Sequence, residues 1–189
     1  IMQWQWDFGD LTGSTQQNPL HQYSPAGVYN VELIVTTAGG CSDTITNPVT
    51  VHAQPTASFT TNTICWGDTT KFTNGSSSMD GNITSYDWDF SDGGFSTMVN
   101  PEHVFTVYND SFYVTLIVQT QYGCIDTLTQ LVVTYPVPVV LFAPDATSGC
   151  EDFTVNFTET SQITGATITN WLWNFGDGSP QDTSTAPSH

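Results

Sequence analysis

The sequence predicts an all-β protein made of β-sandwich repeats in a linear array. An aromatic motif occurs three times, and the tryptophans at its centre, Trp6, Trp88 and Trp173, are spaced by about 83 positions, close to the size of a small domain. Short runs of alternating apolar and polar residues are separated by Gly, Pro, Asn and Asp, a pattern typical of strands joined by turns. No segment shows the 3.6-residue periodicity of an amphipathic helix. Together these features favour tandem sandwiches.

The recurring motif spaces its aromatic side chains two residues apart. It occupies Trp4–Asp10, Tyr86–Gly93 and Trp171–Gly178. Side chains at i, i+2 and i+4 of a strand point to one face, so the rings are predicted to fill a core, with Trp6, Trp88 and Trp173 in the interior. The Asp and Gly residues that follow favour a tight turn, because Asp bonds to its downstream backbone and Gly accepts a positive φ.

The repeat divides the chain into three parts. Residues 1–51 correspond to the C-terminal part of one module, 52–135 to a complete module, and 136–189 to the N-terminal part of another. These parts are termed the first, central and third repeats. We therefore expect the chain to be an excerpt of a longer repeat protein.

Individual strands follow from the alternation within each repeat. In the first repeat, inward-facing positions are expected at Tyr29, Val31, Leu33 and Val35, with a closing strand at Thr44–Val51. The central repeat should place Phe72 in the core and form an aromatic strand at Ile83–Phe90. The residues of the central repeat that correspond to the inward-facing positions of the first repeat are Phe112, Val114, Leu116 and Val118. In the third repeat, Phe142 and Phe157 correspond to Phe59 and Phe72.

Composition excludes several classes of function. Lys and Arg number 1 against 18 Asp and Glu, for a net charge of −17. A nucleic-acid binder needs clustered cations, and anionic lipid surfaces are disfavoured for the same reason. No apolar run approaches the roughly 20 residues that span a bilayer. Acidity with many Thr, Asn, Ser and aromatic residues suits a secreted or cell-surface protein.

The motifs resemble those of a known family. Trp-Asp-Phe-Gly-Asp, followed by Asn-Pro-x-His-x-Tyr and then Gly-x-Tyr-x-Val-x-Leu-x-Val, resembles the PKD domain, an immunoglobulin-like β-sandwich. Two positions depart from its pattern: Ser91 replaces a Gly, which suggests that this turn does not require Gly, and Asn174 replaces an Asp. The extra Cys pair in each repeat resembles PKD arrays in very large surface proteins of Bacteroidota. That resemblance implies a secreted, adhesion- or gliding-related protein.

Four cysteines, Cys41, Cys65, Cys124 and Cys150, fit an oxidising compartment and lack the spacing of a zinc site. In the immunoglobulin-like strand order that the resemblance implies, Cys65 lies in a loop at one end of its module and Cys124 in the last hairpin at the other. A disulfide needs Cα atoms within about 7 Å, so a bond from Cys65 to the hairpin cysteine of the following module fits better. Inter-module bonds, an intramodular bridge and free thiols all stay open.

The carboxylates have three interpretations. Asp7 and Asp10, or Asp89 and Asp92, could form a glycosidase pair. Their recurrence in every copy, with Asn174 in the third, favours turn stabilisation instead, so no catalytic residues are predicted. A calcium site is the third interpretation: Asp80 and Asp92, with Asn82 or a backbone carbonyl, could supply hard oxygen ligands. The third repeat has Gly165 at the position of Asp80, so such a site would not be general.

The remaining polar and aromatic candidates have less specific patterns. His21 and His103 lie in Asn-Pro-x-His and His189 in the related Ala-Pro-Ser-His, and this recurrence favours a structural role over metal binding. His52 stands at a linker and is expected to be solvated. Trp66 lies in a loop, where it could pack a module junction or contribute to a sugar- or partner-binding surface. Three threonines in Asp-Thr contexts resemble Bacteroidota O-glycosylation acceptors: Thr44, Thr69 and Thr127.

These observations predict a non-enzymatic structural segment of an extracellular adhesin or filament. It would act as a spacer and would contact copies of its own module, neighbouring chains, surface polymers or glycans. No cofactor is expected apart from the possible calcium. The alternative is an accessory array that spaces or docks a secreted hydrolase on a polymeric substrate. Direct carbohydrate binding by the segment is a third hypothesis.

Overall fold

The computed structural model describes residues 1, 3–62, 64–106 and 111–189, and these residues form strands, turns and isolated bridges without any helix. The strands, in chain order, are β1 Gln3–Asp7, β2 Gly13–Ser14, β3 Gly27–Thr36, β4 Ser42–Val51, β5 Phe59–Thr61, β6 Ile64–Cys65, β7 Thr69–Asn74, β8 Ile83–Asp89, β9 Phe95–Ser96, β10 Glu102–Val104, β11 Ser111–Thr120, β12 Ile125–Tyr135, β13 Phe142–Pro144 and β14 Phe157–Glu159. Nothing in the described ranges forms a helix that could cross a bilayer. The predicted all-β fold class is confirmed.

The chain forms two compact units. One comprises Ile1–Thr60, Phe72–Pro101 and Tyr113–Gln130, and the other comprises Thr61–Lys71, Glu102–Phe112 and Leu131–His189. Both units draw on the central repeat, so they do not test the repeat boundaries at residues 52 and 136. Those boundaries stay a prediction.

The first repeat forms one four-stranded antiparallel sheet in the order β2-β1-β3-β4. The aromatic strand β1 pairs with β3, so that Trp6 lies opposite Leu33 and Trp4 opposite Val35. Both tryptophans are half-buried and Phe8 is buried. The expectation of a fully interior Trp6 is therefore only partly met, because no second sheet of this repeat covers the aromatic face among the described residues.

The central repeat contributes to two sheets, with strand orders β10-β7-β5 and β6-β12-β11-β8-β9. Phe59 and Phe72 of the first of these sheets contact Trp88 of the second at ring-centroid distances of 5.1 and 5.4 Å. Trp88 and Phe72 are each only 1% exposed. The predicted inward-facing residues of β11 are also confirmed as buried: Phe112, Val114, Leu116 and Val118. The sequence correctly predicted this core.

The third repeat has fewer strands than its sequence predicts. β13 pairs with β14, and Phe142, Phe157 and Trp173 contact one another at 5.5 to 6.0 Å. The aromatic run around Trp173 forms only an isolated bridge to Asp182, not the expected strand. The physical reason is pairing, because no strand among the described residues pairs with this run as β11 pairs with β8. Trp173 is half-buried, and Phe142 is 56% exposed.

Cys65 lies differently from the expected arrangement, whereas Cys124 lies in the β11–β12 hairpin as predicted. Cys65 does not stand in a loop, because β6 pairs in parallel with the end of β12, with Cys65 opposite Tyr135. Cys124 immediately precedes Ile125 at the other end of β12. An extended strand of this length separates its ends by about 30 Å, which disfavours a Cys65–Cys124 bridge within one repeat. All four cysteines are free thiols in this structure.

Candidate functional site

The first Asp or Asn of each aromatic motif closes a turn on its own backbone. The side-chain Oδ1 of Asp7 accepts the Gly9 amide at 2.8 Å, and Asp89 accepts that of Ser91 at the same distance. In the third repeat, Asn174 Oδ1 accepts the Gly176 amide at 3.0 Å. The amide oxygen of Asn serves as well as a carboxylate oxygen, because the turn needs only an acceptor. This explains why Asn174 is tolerated.

The residue two positions after this Asp or Asn has a left-handed backbone conformation in every copy. Its φ is 77° at Gly9, 66° at Ser91 and 82° at Gly176. Ser91 forms the same turn as its Gly counterparts, so this turn does not require Gly, although Ser adopts the left-handed conformation at a cost. At Gly9 a Cβ atom would also lie 2.7 Å from the Asn30 carbonyl oxygen, so only Gly fits there.

The second Asp of each motif caps the next turn. Asp10 accepts the Thr12 amide at 3.1 Å, Asp92 accepts that of Gly94 at 3.0 Å, and Asp177 accepts that of Ser179 at 3.0 Å. The Thr12 hydroxyl, which donates to Asp10 at 2.6 Å, lowers the pKa of that carboxyl; desolvation opposes this effect and the His21 hydrogen bond adds to it. Hydrogen bonds from Ser179 lower the pKa of Asp177, and the His189 hydrogen bond lowers it further.

The same Asp residues hold the recurring histidine. His21 donates to Asp10 at 2.7 Å and stacks on Phe8 at 4.0 Å. His189 repeats the arrangement, with Asp177 at 2.6 Å and Phe175 at 4.1 Å. The structural role predicted for these two histidines is confirmed. In the central repeat, His103 makes an edge contact with Phe105 at 4.9 Å.

The motif tryptophan makes the same hydrogen bond three times. The indole Nε1 donates to a backbone oxygen ten or eleven residues ahead: Trp6 to Gln16 at 3.0 Å, Trp88 to Met98 at 2.9 Å and Trp173 to Ser184 at 3.0 Å. Each bond joins the aromatic strand to the segment beyond the turn. The polar atoms of the motif are thus occupied in building the turn, and the geometry supports turn stabilisation over a glycosidase pair.

The predicted calcium ligands are engaged in contacts within the protein. Asp80 Oδ2 lies 2.7 Å from His52 Nδ1, and Asp92 caps its turn. The backbone oxygen of Asn82 accepts the Gln121 amide at 3.0 Å. Across the described ranges, no three His, Cys, Asp or Glu side chains are grouped so as to hold a metal ion. A calcium site built partly from Asn and carbonyl oxygens is not tested by this arrangement and stays a prediction.

His52 corrects another expectation, because it is not freely solvated. Its ring stacks on Tyr122 at 3.5 Å between centroids, with an interplanar angle of 7°. Tyr122 in turn packs over Gly81, where an added Cβ would lie 2.6 Å from the ring. Together with Asp80, these residues tie the end of β4 to the β11–β12 hairpin. No sequence signal indicates this contact, because His52 is an isolated histidine and Tyr122 lies in a distant hairpin.

The linker after the central repeat has an aromatic neighbour. The Trp66 amide donates to the Tyr135 carbonyl at 2.7 Å, and Trp66 is half-buried. Beside it runs a groove of about 430 Å³ lined by Trp66, Pro136, Val137, Pro138, Val139 and Thr164. Trp66 therefore packs at a linker, one of the two roles expected for it. A sugar- or partner-binding role stays a prediction.

The candidate modification sites are accessible. Thr44 lies on β4, Thr69 on β7 and Thr127 on β12, and all three are exposed. Exposure permits attachment of a glycan but does not test it. O-glycosylation at these threonines stays a prediction.

Comparison with known proteins identifies the family. Residues 1–51 and 52–135 each match the PKD domain family. Since these two matches cover more than half of the sequence, the chain belongs to the PKD domain family, in tandem copies.

Similar proteins include two bacterial collagenases. A microbial collagenase of Vibrio alginolyticus is 48% identical over 48 residues, which are 25% of this chain and 6% of that protein. Collagenase ColA of Bacillus cereus is 40% identical over 58 residues, 31% of this chain and again 6% of the relative. The matches thus span a small part of each collagenase.

Two solved structures are also similar. The PKD1 domain of Vibrio anguillarum Epp is 28% identical, with a TM-score of 0.41, and the match covers 44% of this chain and 95% of that domain. The PKD1 domain of the Vibrio cholerae metalloprotease PrtV is 36% identical, with a TM-score of 0.40, over 43% of this chain and 96% of that domain.

Proposed function

We propose that this chain is a non-enzymatic structural segment of a long extracellular repeat protein, a cell-surface adhesin or filament, in which PKD modules act as spacers and interaction scaffolds. The observation that carries the proposal is the triplicated turn. In each copy the Asp or Asn residues accept backbone amides and the tryptophan donates to a backbone carbonyl. Residues that repeat the same structural bonds in every copy serve the module rather than one reaction centre.

The net charge and the exposed apolar residues limit the partners that fit this segment. The net charge of −17 disfavours nucleic acids and anionic membranes as partners. Exposed apolar side chains accompany this charge on β12, including Leu131, Val133 and Tyr135. The partners that fit are copies of the same module, neighbouring chains, and surface polymers or glycans.

Force spectroscopy on the chain tests the mechanical part of this proposal. Stretched between its ends, the chain should show a discrete unfolding event that releases about 250 Å, the extended length of one repeat less the distance that its folded ends already span. Gradual extension without any discrete event would contradict a load-bearing role.

A second candidate is an accessory segment that docks or spaces a secreted hydrolase on a polymeric substrate. The matches to two collagenases favour it. Its test is cosedimentation of the chain with insoluble collagen fibrils, using fibrillar cellulose as the control polymer. Retention on collagen alone supports the accessory role with a protein polymer, whereas retention on neither polymer favours the spacer role.

A further inference from the structure

We propose that successive PKD repeats of this protein are joined by a disulfide between the Cys65-type cysteine of one repeat and the Cys124-type cysteine of the following repeat. Four free cysteines are seen in this structure, and the inference comes from where two of them lie. Each is placed against a linker, and the two linkers are equivalent.

Cys124 lies at the linker that precedes the central repeat. Its Sγ is 3.9 Å from the carbonyl oxygen of His52, the residue directly after β4. The hairpin that carries Cys124 is held there by the stacking of Tyr122 on the His52 ring. Cys124 is therefore close to any element of the preceding repeat that packs against the His52 carbonyl.

Cys65 lies at the linker that follows the central repeat. It is the parallel partner of Tyr135, and the amide of the next residue, Trp66, donates to the Tyr135 carbonyl at 2.7 Å. Cys65 is exposed and lines an open groove of about 530 Å³ together with Ile64, Asp68 and Tyr135. Its exposed side chain is therefore accessible to an element of the following repeat.

His52 and Tyr135 are equivalent residues in consecutive repeats. β4 ends at Val51 and its counterpart β12 at Tyr135, and the match of Cys41 to Cys124 sets His52 against Tyr135. The Cys124-type sulfur and the amide of the residue after the Cys65-type cysteine thus contact equivalent carbonyls, one from the following repeat and one from the preceding repeat.

The sulfur of Cys124 is 3.9 Å from the His52 carbonyl oxygen, and the Trp66 amide nitrogen is 2.7 Å from the equivalent oxygen. Adding these distances to the backbone between the Trp66 nitrogen and the Cys65 Cα puts a Cys124-type sulfur at most roughly 9 Å from a Cys65-type Cα. Because the summed contacts set only an upper limit, they are compatible with the separation of about 4.4–6.8 Å that is usual between the Cα atoms of a disulfide.

The other repeats carry cysteines at the corresponding places. Cys41 occupies the Cys124-type position in the first repeat, and Cys150 occupies the Cys65-type position in the third. Within one repeat the two types lie at opposite ends of β12, about 30 Å apart. A bond between neighbouring repeats is therefore the pairing that the fold favours.

Formation of the bond is an oxidation. Two thiols lose two protons and two electrons as the S–S bond forms, and a disulfide oxidant such as oxidised glutathione accepts them and becomes two glutathione thiols. The bond would add a covalent brace to the joint between repeats, beside the contacts that His52 makes there with Asp80 and Tyr122.

The test duplicates residues 52–135 directly after residue 135 in the full chain, which creates one joint carrying both cysteine types. In the test variant every cysteine is changed to Ser except Cys65 of the first copy and Cys124 of the second. The matched control keeps the opposite pair, Cys124 of the first copy and Cys65 of the second. Both proteins are incubated with a mixture of oxidised and reduced glutathione, and the monomer is isolated.

Trypsin then reports the linkage, because Lys71 is the sole Lys or Arg of the sequence. Cleavage after Lys71 in both copies puts the two cysteines of the test variant on the first and last fragments, which should stay joined until a reductant is added. The control should keep two alkylatable thiols. Free thiols in the test variant, or equal oxidation of both proteins, would overturn the proposal.

A second measurement guards against a folding defect. The duplicated chain with all its cysteines retained is mapped in the same way, with the linked peptides identified by mass spectrometry. The bond between Cys65 of the first copy and Cys124 of the second should be found. A bond between Cys65 and Cys124 of the same copy would overturn the proposal.

Discussion

Changing Trp88 to Phe should destabilise the central repeat far more than the same change at Trp6. The Trp88 ring is 1% exposed and packs on Phe59 and Phe72, and its indole donates to the Met98 carbonyl. Trp6 makes the equivalent hydrogen bond, to Gln16, but is only half-buried. The two substitutions therefore remove the same bond and differ in the packing that they disturb.

The magnitude follows from two losses. A smaller ring in a closed core leaves a residual cavity, which costs about 1–2 kcal/mol for a partial truncation of this kind. Loss of the indole donor adds about 1 kcal/mol, because water can reach the exposed Met98 and replace part of the bond. Trp88→Phe should thus cost about 2–3 kcal/mol, and Trp6→Phe about 1 kcal/mol.

Urea unfolding followed by far-UV circular dichroism measures both variants without relying on tryptophan emission. For a repeat of this size, a loss of 2–3 kcal/mol corresponds to a fall of roughly 10–20 °C in Tm, which a thermal scan checks independently. Equal costs at the two positions, or a cost below about 0.5 kcal/mol at Trp88, would refute the assignment of Trp88 to a closed core.

Three further predictions concern the turn and the linker. Ser91→Gly should stabilise the protein by about 0.5 kcal/mol in urea unfolding, because Gly relieves the left-handed strain but gains unfolded-state entropy. The lowered pKa of Asp10 gives stability that is present above the unfolded pKa, near pH 4, and is lost as pH falls through the folded pKa. Asp10→Asn should therefore reduce the loss of urea stability between pH 7 and pH 3. His52→Ala should cost about 1 kcal/mol and raise the alkylation rate of Cys124 a few-fold, because the hairpin is released.

Each of these has a contradicting result. A destabilised Ser91→Gly protein would mean that the Ser side chain, not the backbone, determines this turn. An unchanged pH dependence in Asp10→Asn would remove Asp10 from the acid response. Asn at residue 10 keeps an oxygen that can accept the Thr12 amide, and it removes both the ionisation and the carboxylate oxygen that accepts from His21. Unchanged alkylation of Cys124 in His52→Ala would show that the stacking does not hold the hairpin.

The sequence predicted the fold and the core well because both depend on alternation. Phe112 to Val118 alternate in the sequence and alternate in burial along β11, and Trp88 lies where the aromatic spacing places it. The Asx turns were predictable for the same reason: they are local, and an Asp two residues before a backbone amide needs no distant partner.

Contacts between segments distant in sequence were not predictable. His52 meets Asp80 and Tyr122, which are far along the chain, and no periodicity links them. The parallel pairing of β6 with the end of β12 likewise depends on topology, and it moves Cys65 from an expected loop to a strand. Burial of Trp6 and Trp173 depends on how many strands cover each repeat, which the motif alone does not reveal.

The recurring tryptophan stabilises each repeat by a hydrogen bond from its indole to the segment beyond the turn. Hydrogen exchange of the indole N–H groups in ¹⁵N-labelled protein tests it most directly, since Trp6, Trp88 and Trp173 each donate to a backbone carbonyl. Exchange at Trp88 should be slowest, near the rate of global unfolding, with Trp6 and Trp173 protected to a lesser degree. Indole exchange at Trp88 as fast as in a free peptide would contradict the account.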